Sequence, residues 1–390
     1  MIFHHTRLLL LTFCLFGLSA AVAQSTSAPR PTDRARIQVV EIPDAEAPEH
    51  KLKVMRTDAD TPIRSGTVWL WSQDPMEQPA SYYAAMREAG LNTVRLVLFD
   101  VWIHEEGYAK HDWTERAYKK TMLERIERAV NYCSDNGLYA IINAHNRVPR
   151  ADTPKYDEPH NTGLWKAVAP YFANRTHVLY ELSNEPITGA GRDGVVDDNS
   201  AKTLKALARV HDIARRLAPS THLMVLTPAG ISGYGTKTAM SNLTRNFEKL
   251  TTRGRIDWTN TSVAYHLYHA DTNLFPRAEN LRHFHREFPG WPSENNFPPG
   301  FPSEKLGIPV GDAERSAQFG NDEFTMQTCE IFGLGWSQWH INGPKELARN
   351  WPILWADAVA KGYAWEPDHV ILTRKKAVPS RSGPLPRRAR

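Results

Sequence analysis

From Ser65 onward the chain repeats one pattern. A short apolar, β-favouring run is followed by a longer stretch whose apolar residues fall three and four apart. The strand-like runs are Ser65–Trp71, Val94–Phe99, Leu138–Asn143, His177–Leu182, His222–Leu226, Ser262–Tyr268, Gly307–Ala313 and Phe332–Ile341. Helical spacing is clearest where Met122, Ile126, Ala129, Val130 and Cys133 line one face and Asn136-Gly137 supplies a stop. Further helices are predicted over Pro79–Ala89, Leu164–Ala173 and Ala201–Leu217. Strands that read as apolar runs, without clean alternation, are covered on both faces, as in parallel sheets. Eight β/α units in one domain predict an α/β protein, a closed (β/α)8 TIM barrel over residues 63–372. No G-x-G-x-x-G follows the first strand and no phosphate-binding G-x-x-x-x-G-K-[ST] occurs, so nucleotide-binding folds lose their main support.

The flanks read differently. Residues 1–23 carry one Arg, an apolar run from Leu8 to Leu18 and the sequence Ala21-Val22-Ala23, the pattern of a cleavable export signal. The run is short for a membrane span. A secreted protein, extracellular or periplasmic and with no membrane association after cleavage, is therefore expected. Residues 24–62 are rich in Pro, Ala and charge and read as a linker or loosely packed lead-in. The formal net charge is +4, but residues 374–390 hold seven Lys/Arg and no acid. Residues 373–390 thus read as a disordered basic tail, and the folded body is net acidic, which argues against nucleic acid as a partner. Cys133 and Cys329 fall on the second and seventh helices of an eightfold ring, too far apart to bond. His283-Phe284-His285 lies in a predicted helix and reads as surface.

In a barrel of this kind the chemistry sits at the C-terminal strand ends. The fourth strand ends in Asn184-Glu185-Pro186, and Glu314 lies just past the seventh, with Asp312 two residues earlier on the same face. His145 closes the third strand, His266 and Tyr268 lie in the sixth, and Trp336 and Trp339 in the eighth. Arg95 stands in a strand otherwise made of Val, Leu and Phe, and a buried charge there requires a carboxylate partner. Two carboxylates facing one mouth suit glycoside hydrolysis, in which one protonates the leaving oxygen while the other attacks or activates water. Trp faces suit the apolar side of sugar rings. The first strand, GTVWLWS, has no H-x-H, so neither a metal nor another cofactor is expected.

From Ser65 to about Trp365 the chain resembles glycoside hydrolase family 5, the cellulase family. The likeness rests on NTVRL at the second strand, II-x-x-H at the third, LSNEP at the fourth, H-x-Y at the sixth, a Glu beyond a strand-seven Pro-Val and a Trp in strand eight. The resemblance implies Glu185 as general acid/base and Glu314 as nucleophile of a retaining glycosidase. It further implies that Asn184 bonds the sugar 2-hydroxyl, that Arg95 and Tyr268 hold the nucleophile, that His145 and His266 line the catalytic subsite and that Trp339 is its platform. The family usually follows its nucleophile with an aromatic or small residue and Gly. Here the text is Glu314-Arg315-Ser316, which leaves Asp312 open as the second carboxylate. The alternatives are an inactive secreted carbohydrate-binding barrel and a related glycosidase of the same clan with a different specificity. The expected partner is a β-linked polysaccharide or oligosaccharide, bound by a monomer.

Overall fold

The computed structural model describes residues 34–44, 46–71, 78–88, 90–99, 101–104, 107–110, 113–145, 156–186, 201–228, 237–266, 274–294, 329, 332–337, 363–366 and 371–374. The chain opens with a hairpin, β1 (Gln38–Asp44) and β2 (Ala47–Arg56). Next come β3 (Arg64–Trp71), α1 (Ala80–Glu88) and β4 (Thr93–Phe99), then a ribbon of β5 (Val101–His104) and β6 (Gly107–Lys110). The alternation continues through α2 (Arg116–Asp135), β7 (Tyr139–Ala144), α3 (Glu158–Phe172), β8 (Val178–Glu181), α4 (Ala201–Leu217) and β9 (Leu223–Leu226). It ends with α5 (Lys237–Thr252), β10 (Thr261–His266), α6 (Leu274–Glu287), β11 (Gly290–Glu294) and β12 (Trp336–Ser337), followed by a ribbon of β13 (Tyr363–Glu366) and β14 (Ile371–Arg374).

Eight of these strands, β3, β4 and β7 to β12, form the (β/α)8 barrel, each parallel to its hydrogen-bonded neighbour. Among the described residues the ring is not closed by hydrogen bonds: no ladder joins β11 to β12. The N-terminal hairpin occupies that side. β2 pairs with β11 at Val54↔Gly290, and Arg56 Nη1 donates to the Gly333 carbonyl at 2.5 Å. Gly335 sits where the two edges meet. A Cβ there would lie 2.8 Å from both the Ile63 carbonyl oxygen and the Trp291 ring, so only glycine lets β12 approach.

The lead-in predicted to be loosely packed is thus built into the fold from residue 34. Leu52, Val54 and Met55 are buried, and the buried Asp44 carboxylate accepts from Arg282 Nε at 2.7 Å and Arg286 Nη2 at 2.7 Å on α6. Burial opposes the charge on Asp44, yet the two guanidiniums hold its carboxyl below the usual range. Sequence had offered only Pro, Ala and charge here, and these partners lie more than two hundred residues away.

Two hydrophobic cores follow from strand alternation. One lies between sheet and helices, where α2 buries Met122, Ile126, Ala129, Val130 and Cys133 as its spacing predicts and ends at Asn136-Gly137, with Gly137 at φ 66°. The other fills the lower barrel interior: Ile37, Met55, Ile63, Tyr139, Ile141, Leu179, Met224, Leu226, Ala264 and Trp291. Cys133 and Cys329 are buried and are not joined by a disulfide, as expected. On α6 only His283 meets the surface expectation. Phe284 and His285 are buried, and His285 Nε2 lies 2.8 Å from the Tyr265 hydroxyl. No described helix is long and apolar enough to cross a membrane.

The seventh barrel strand is also not where the apolar pattern put it. β10 pairs with β11, Gly290–Glu294, whereas the predicted Gly307–Ala313 strand lies outside the described residues. β11 is five residues long and carries Pro292, two features that demote a strand in any sequence reading.

Candidate active site

Alternation along β4, β7 and β8 points Arg95, Asn143 and Glu181 into the barrel above the apolar floor. Arg95 is fully buried and is the hub of the site. Its Nε donates to Glu181 Oε2 at 2.5 Å and its Nη2 to Glu181 Oε1 at 3.2 Å. Nη2 also donates to Asn184 Oδ1 at 2.9 Å, and Nη1 to Glu294 Oε1 at 2.6 Å. The buried charge in β4 therefore has the carboxylate partner it required, twice over. Burial works against the guanidinium charge, but Glu181 and Glu294 outweigh it and hold the Arg95 pKa above its usual value.

Glu294 reaches this cluster through a register shift. Tyr265 pairs with Pro292 and His266 with Glu294, which leaves Ser293 as the extra residue of a bulge. Trp291 faces the interior, so strict alternation would send Glu294 outward; the bulge re-aims it into the mouth. Glu294 is buried, while the Glu185 side chain, just past β8, keeps 16% exposure. The backbone at Glu185 is left-handed, φ 36°, a conformation that side-chain-bearing residues rarely adopt.

His266, at the tip of β10, stands between the two carboxylates. Its Nδ1 lies 3.2 Å from Glu185 Oε1 and 3.3 Å from Glu294 Oε2. Burial disfavours the imidazolium, but Glu294 and Glu185 more than compensate and raise the His266 pKa. A fixed chain of contacts runs behind the cluster. Asn143 Oδ1 lies 3.1 Å from His145 Nδ1, and His145 Nε2 lies 3.4 Å from Asn184 Nδ2. With the Asn184 oxygen accepting from Arg95, its amide nitrogen faces His145, which fits a neutral His145 protonated on Nδ1.

One donor atom from each of Glu185, His266 and Glu294 falls within 4.8 Å of the others, the spacing of a possible cation site. Glu294 Oε1 already accepts from Arg95 and Oε2 faces His266, so positive charge is present without a metal. The cluster brings together Arg95, His145, Asn184, Glu185 and His266 from the sequence prediction. Glu314, Asp312, Tyr268 and Trp339 lie outside the described residues. Sequence reasoning missed Glu181 and Glu294. The signal for Glu181 was an acid in the apolar run VLYE; that for Glu294 was Trp-Pro-Ser-Glu closing a short segment after an amphipathic helix.

The sequence profile of Cellulase (glycosyl hydrolase family 5) matches residues 47–311. The chain belongs to glycosyl hydrolase family 5. Among curated proteins this family 5 chain is 32% identical over 106 residues to Cellulase/esterase CelE of Acetivibrio thermocellus, a match covering 26% of the chain and 12% of that protein. It is 28% identical over 151 residues to Endoglucanase H of the same organism, covering 36% of the chain and 15% of that protein. The matched stretches thus span less than a sixth of either relative. The catalytic domain of Thermobifida fusca endoglucanase Cel5A superposes with a TM-score of 0.51 at 19% identity, covering 78% of this chain and 85% of that one. A family 5 enzyme of Prevotella bryantii, solved with a xyloglucan oligosaccharide, gives 0.52 at 15% identity, covering 71% and 84%. At these identities the structures share the family 5 barrel fold.

Proposed function

We propose that the protein is a retaining glycoside hydrolase that cleaves β-glycosidic bonds of a glucan-type chain, with Glu185 as general acid/base and Glu294 as nucleophile. The observation that carries this reading is the pair of carboxyl groups converging on His266, one buried against Arg95 and the other partly open to the mouth. Donor oxygens within 4.8 Å fit the short carboxyl separation of retaining enzymes, about 5–5.5 Å, and leave no room for the water that inverting enzymes place between them.

In the first step a Glu294 oxygen attacks the anomeric carbon, the bond to the leaving oxygen breaks, and Glu185 gives that oxygen its proton. Like charges this close resist ionising together. Arg95 stabilises the carboxylate form of Glu294, which favours Glu185 as the proton carrier. In the second step Glu185 takes a proton from water, the water oxygen bonds the anomeric carbon, and Glu294 leaves as carboxylate. Asn184, fixed by Arg95 and adjacent to Glu185, is placed to bond the sugar 2-hydroxyl. His145 holds the Asn184 amide, and His266 spans the two acids.

The export-type N-terminus suits a polymer-degrading enzyme acting outside the cytoplasm. A xyloglucan complex of the Prevotella bryantii enzyme and a cellotetraose complex of the Thermobifida fusca one support β-glucans as the first substrates to test. The test is reducing-sugar release from β-glucans, xyloglucan, mannans and xylans, with proton NMR of the first-formed anomer. Release of β-product that is abolished in Glu294→Ala and retained in Glu314→Ala supports the reading. Activity lost in Glu314→Ala and kept in Glu294→Ala transfers the nucleophile to Glu314, and α-product rules out retention. Binding without turnover across the panel supports the inactive barrel.

A further inference from the structure

Arg95 does not offer its two-pronged edge to the proposed nucleophile. Nε and Nη2, the pair best shaped to grip a carboxylate, are both committed to Glu181, and Glu294 receives a single bond from Nη1. Glu181 itself is fully buried at the end of β8, with both of its carboxylate oxygens held by Arg95. It fits none of the roles assigned above.

We propose that Glu181 is a positioning residue for Glu294: acting through Arg95, it turns the guanidinium edge away from the nucleophile and keeps the buried cation paired while the nucleophile is covalently occupied. The inference rests on the reading of Glu294 given above and deepens it. Two consequences of the geometry support it. A guanidinium free to rotate would grip Glu294 with both prongs, holding it as a quiescent ion pair instead of a nucleophile. And when Glu294 becomes a glycosyl ester its charge is gone, so without Glu181 the buried Arg95 would lose both of the carboxylates described beside it, a costly change. With Glu181 in place, Arg95 and Glu181 remain a neutral pair through both steps.

Among the described residues the charged and titratable groups facing Glu294 are Arg95 from β4, Glu181 and Glu185 from β8 and its end, and His266 from β10. His145, from the end of β7, reaches the cluster through Asn184. Replacing Glu181 by a neutral amide removes one negative charge beside Arg95 and leaves the others. Glu294 then stays ionised to lower pH, so the acid limb of the rate profile moves down.

The experiment is the pH dependence of kcat/KM and kcat for the intact enzyme, Glu181→Gln and Glu294→Ala, on an aryl β-cellobioside and on xyloglucan. Thermal melting of each protein is measured in parallel. The expected result for Glu181→Gln is an acid limb shifted down by about one pH unit, with kcat lowered at least tenfold. An unmoved acid limb, with kcat within twofold of the parent, overturns the proposal, and so does a kcat loss with no movement of the limb, which marks a merely structural carboxylate. Full activity in Glu294→Ala instead overturns the underlying nucleophile assignment. If Glu181→Gln fails to fold, Glu181→Asp carries the test because it keeps the charge and shortens the reach. A kcat drop at the parental melting temperature, with the acid limb in place because the charge is kept, supports positioning; parental kcat, or a kcat drop that only follows a lowered melting temperature, overturns it.

Discussion

The two ends of the barrel use the same side chain in opposite ways. At the floor, His222 precedes β9, is fully buried and lies 2.9 Å from the Ser262 hydroxyl and 3.2 Å from the Asn260 amide oxygen, two neutral partners. Burial, with a contribution from Arg215, pushes its pKa down to about 3. At the mouth, His266 is as deeply buried, yet its facing carboxylates raise its pKa. Burial is common to both; the difference is whether carboxylates face the imidazole. The floor interior packs apolar side chains and builds stability from Met55, Ile141, Leu179, Met224 and Trp291. The mouth concentrates one guanidinium and three carboxyl groups within a few side chains, a poor way to stabilise a fold and a good way to hold reactive groups still.

The sharpest way to break this comparison is to remove charge from the mouth. Glu294→Ala should lower kcat/KM by roughly a thousandfold or more, measured on whichever glycan the parent cleaves, while the melting temperature holds or rises. Glu185→Gln should cost about 10²–10⁴-fold in turnover, with substrate affinity by calorimetry retained. The converse change at the floor is Leu179→Ala or Met224→Ala. Each should cost about 2–5 kcal/mol in urea unfolding and leave turnover of the folded fraction unchanged. Loss of turnover without loss of stability there would erase the distinction between the two ends.

Acid pH sharpens it further. In the unfolded chain His222 takes up a proton near pH 6.5, but in the folded barrel only near 3. Its contribution is therefore full above pH 6.5 and lost as pH falls, by about 2 kcal/mol at pH 5. His177, His211 and His285, each lowered to about 4 by burial, add to the same slope. Unfolding free energy should fall between pH 7 and pH 5, and His222→Asn should flatten that slope. The smallest effect has the opposite sign. His266 stabilises below pH 6.5 and loses that contribution as pH rises through its raised pKa, so the stability deficit of His266→Gln should be larger at pH 6 than at pH 9.

The floor and most of the mouth were legible because they depend on local rules. Period-two and period-3.6 patterns place the strands and helices, and an Arg inside VRLVLF announces a buried carboxylate before one is seen. Glu294 was not legible for the same reason. Its direction depends on one extra residue in a five-residue strand, and a register shift against β10 leaves no trace in hydrophobic periodicity. Glu181 was visible as an acid in an apolar run, but only its distance to Arg95 separates it from the acid four residues later. The N-terminal hairpin escaped because its order comes from contacts with α6 and β11 far along the chain.

The left-handed backbone at Glu185 carries a consequence for anyone engineering this protein. A non-glycine residue held at φ 36° costs of order 1 kcal/mol, which glycine would not incur. A screen that rewards survival of heat and ignores turnover would therefore enrich glycine at position 185 and select against the carboxyl group proposed above as the proton donor. Heat tolerance and catalysis pull on that backbone in opposite directions, so any directed evolution of this barrel has to score sugar release in the same round as heat.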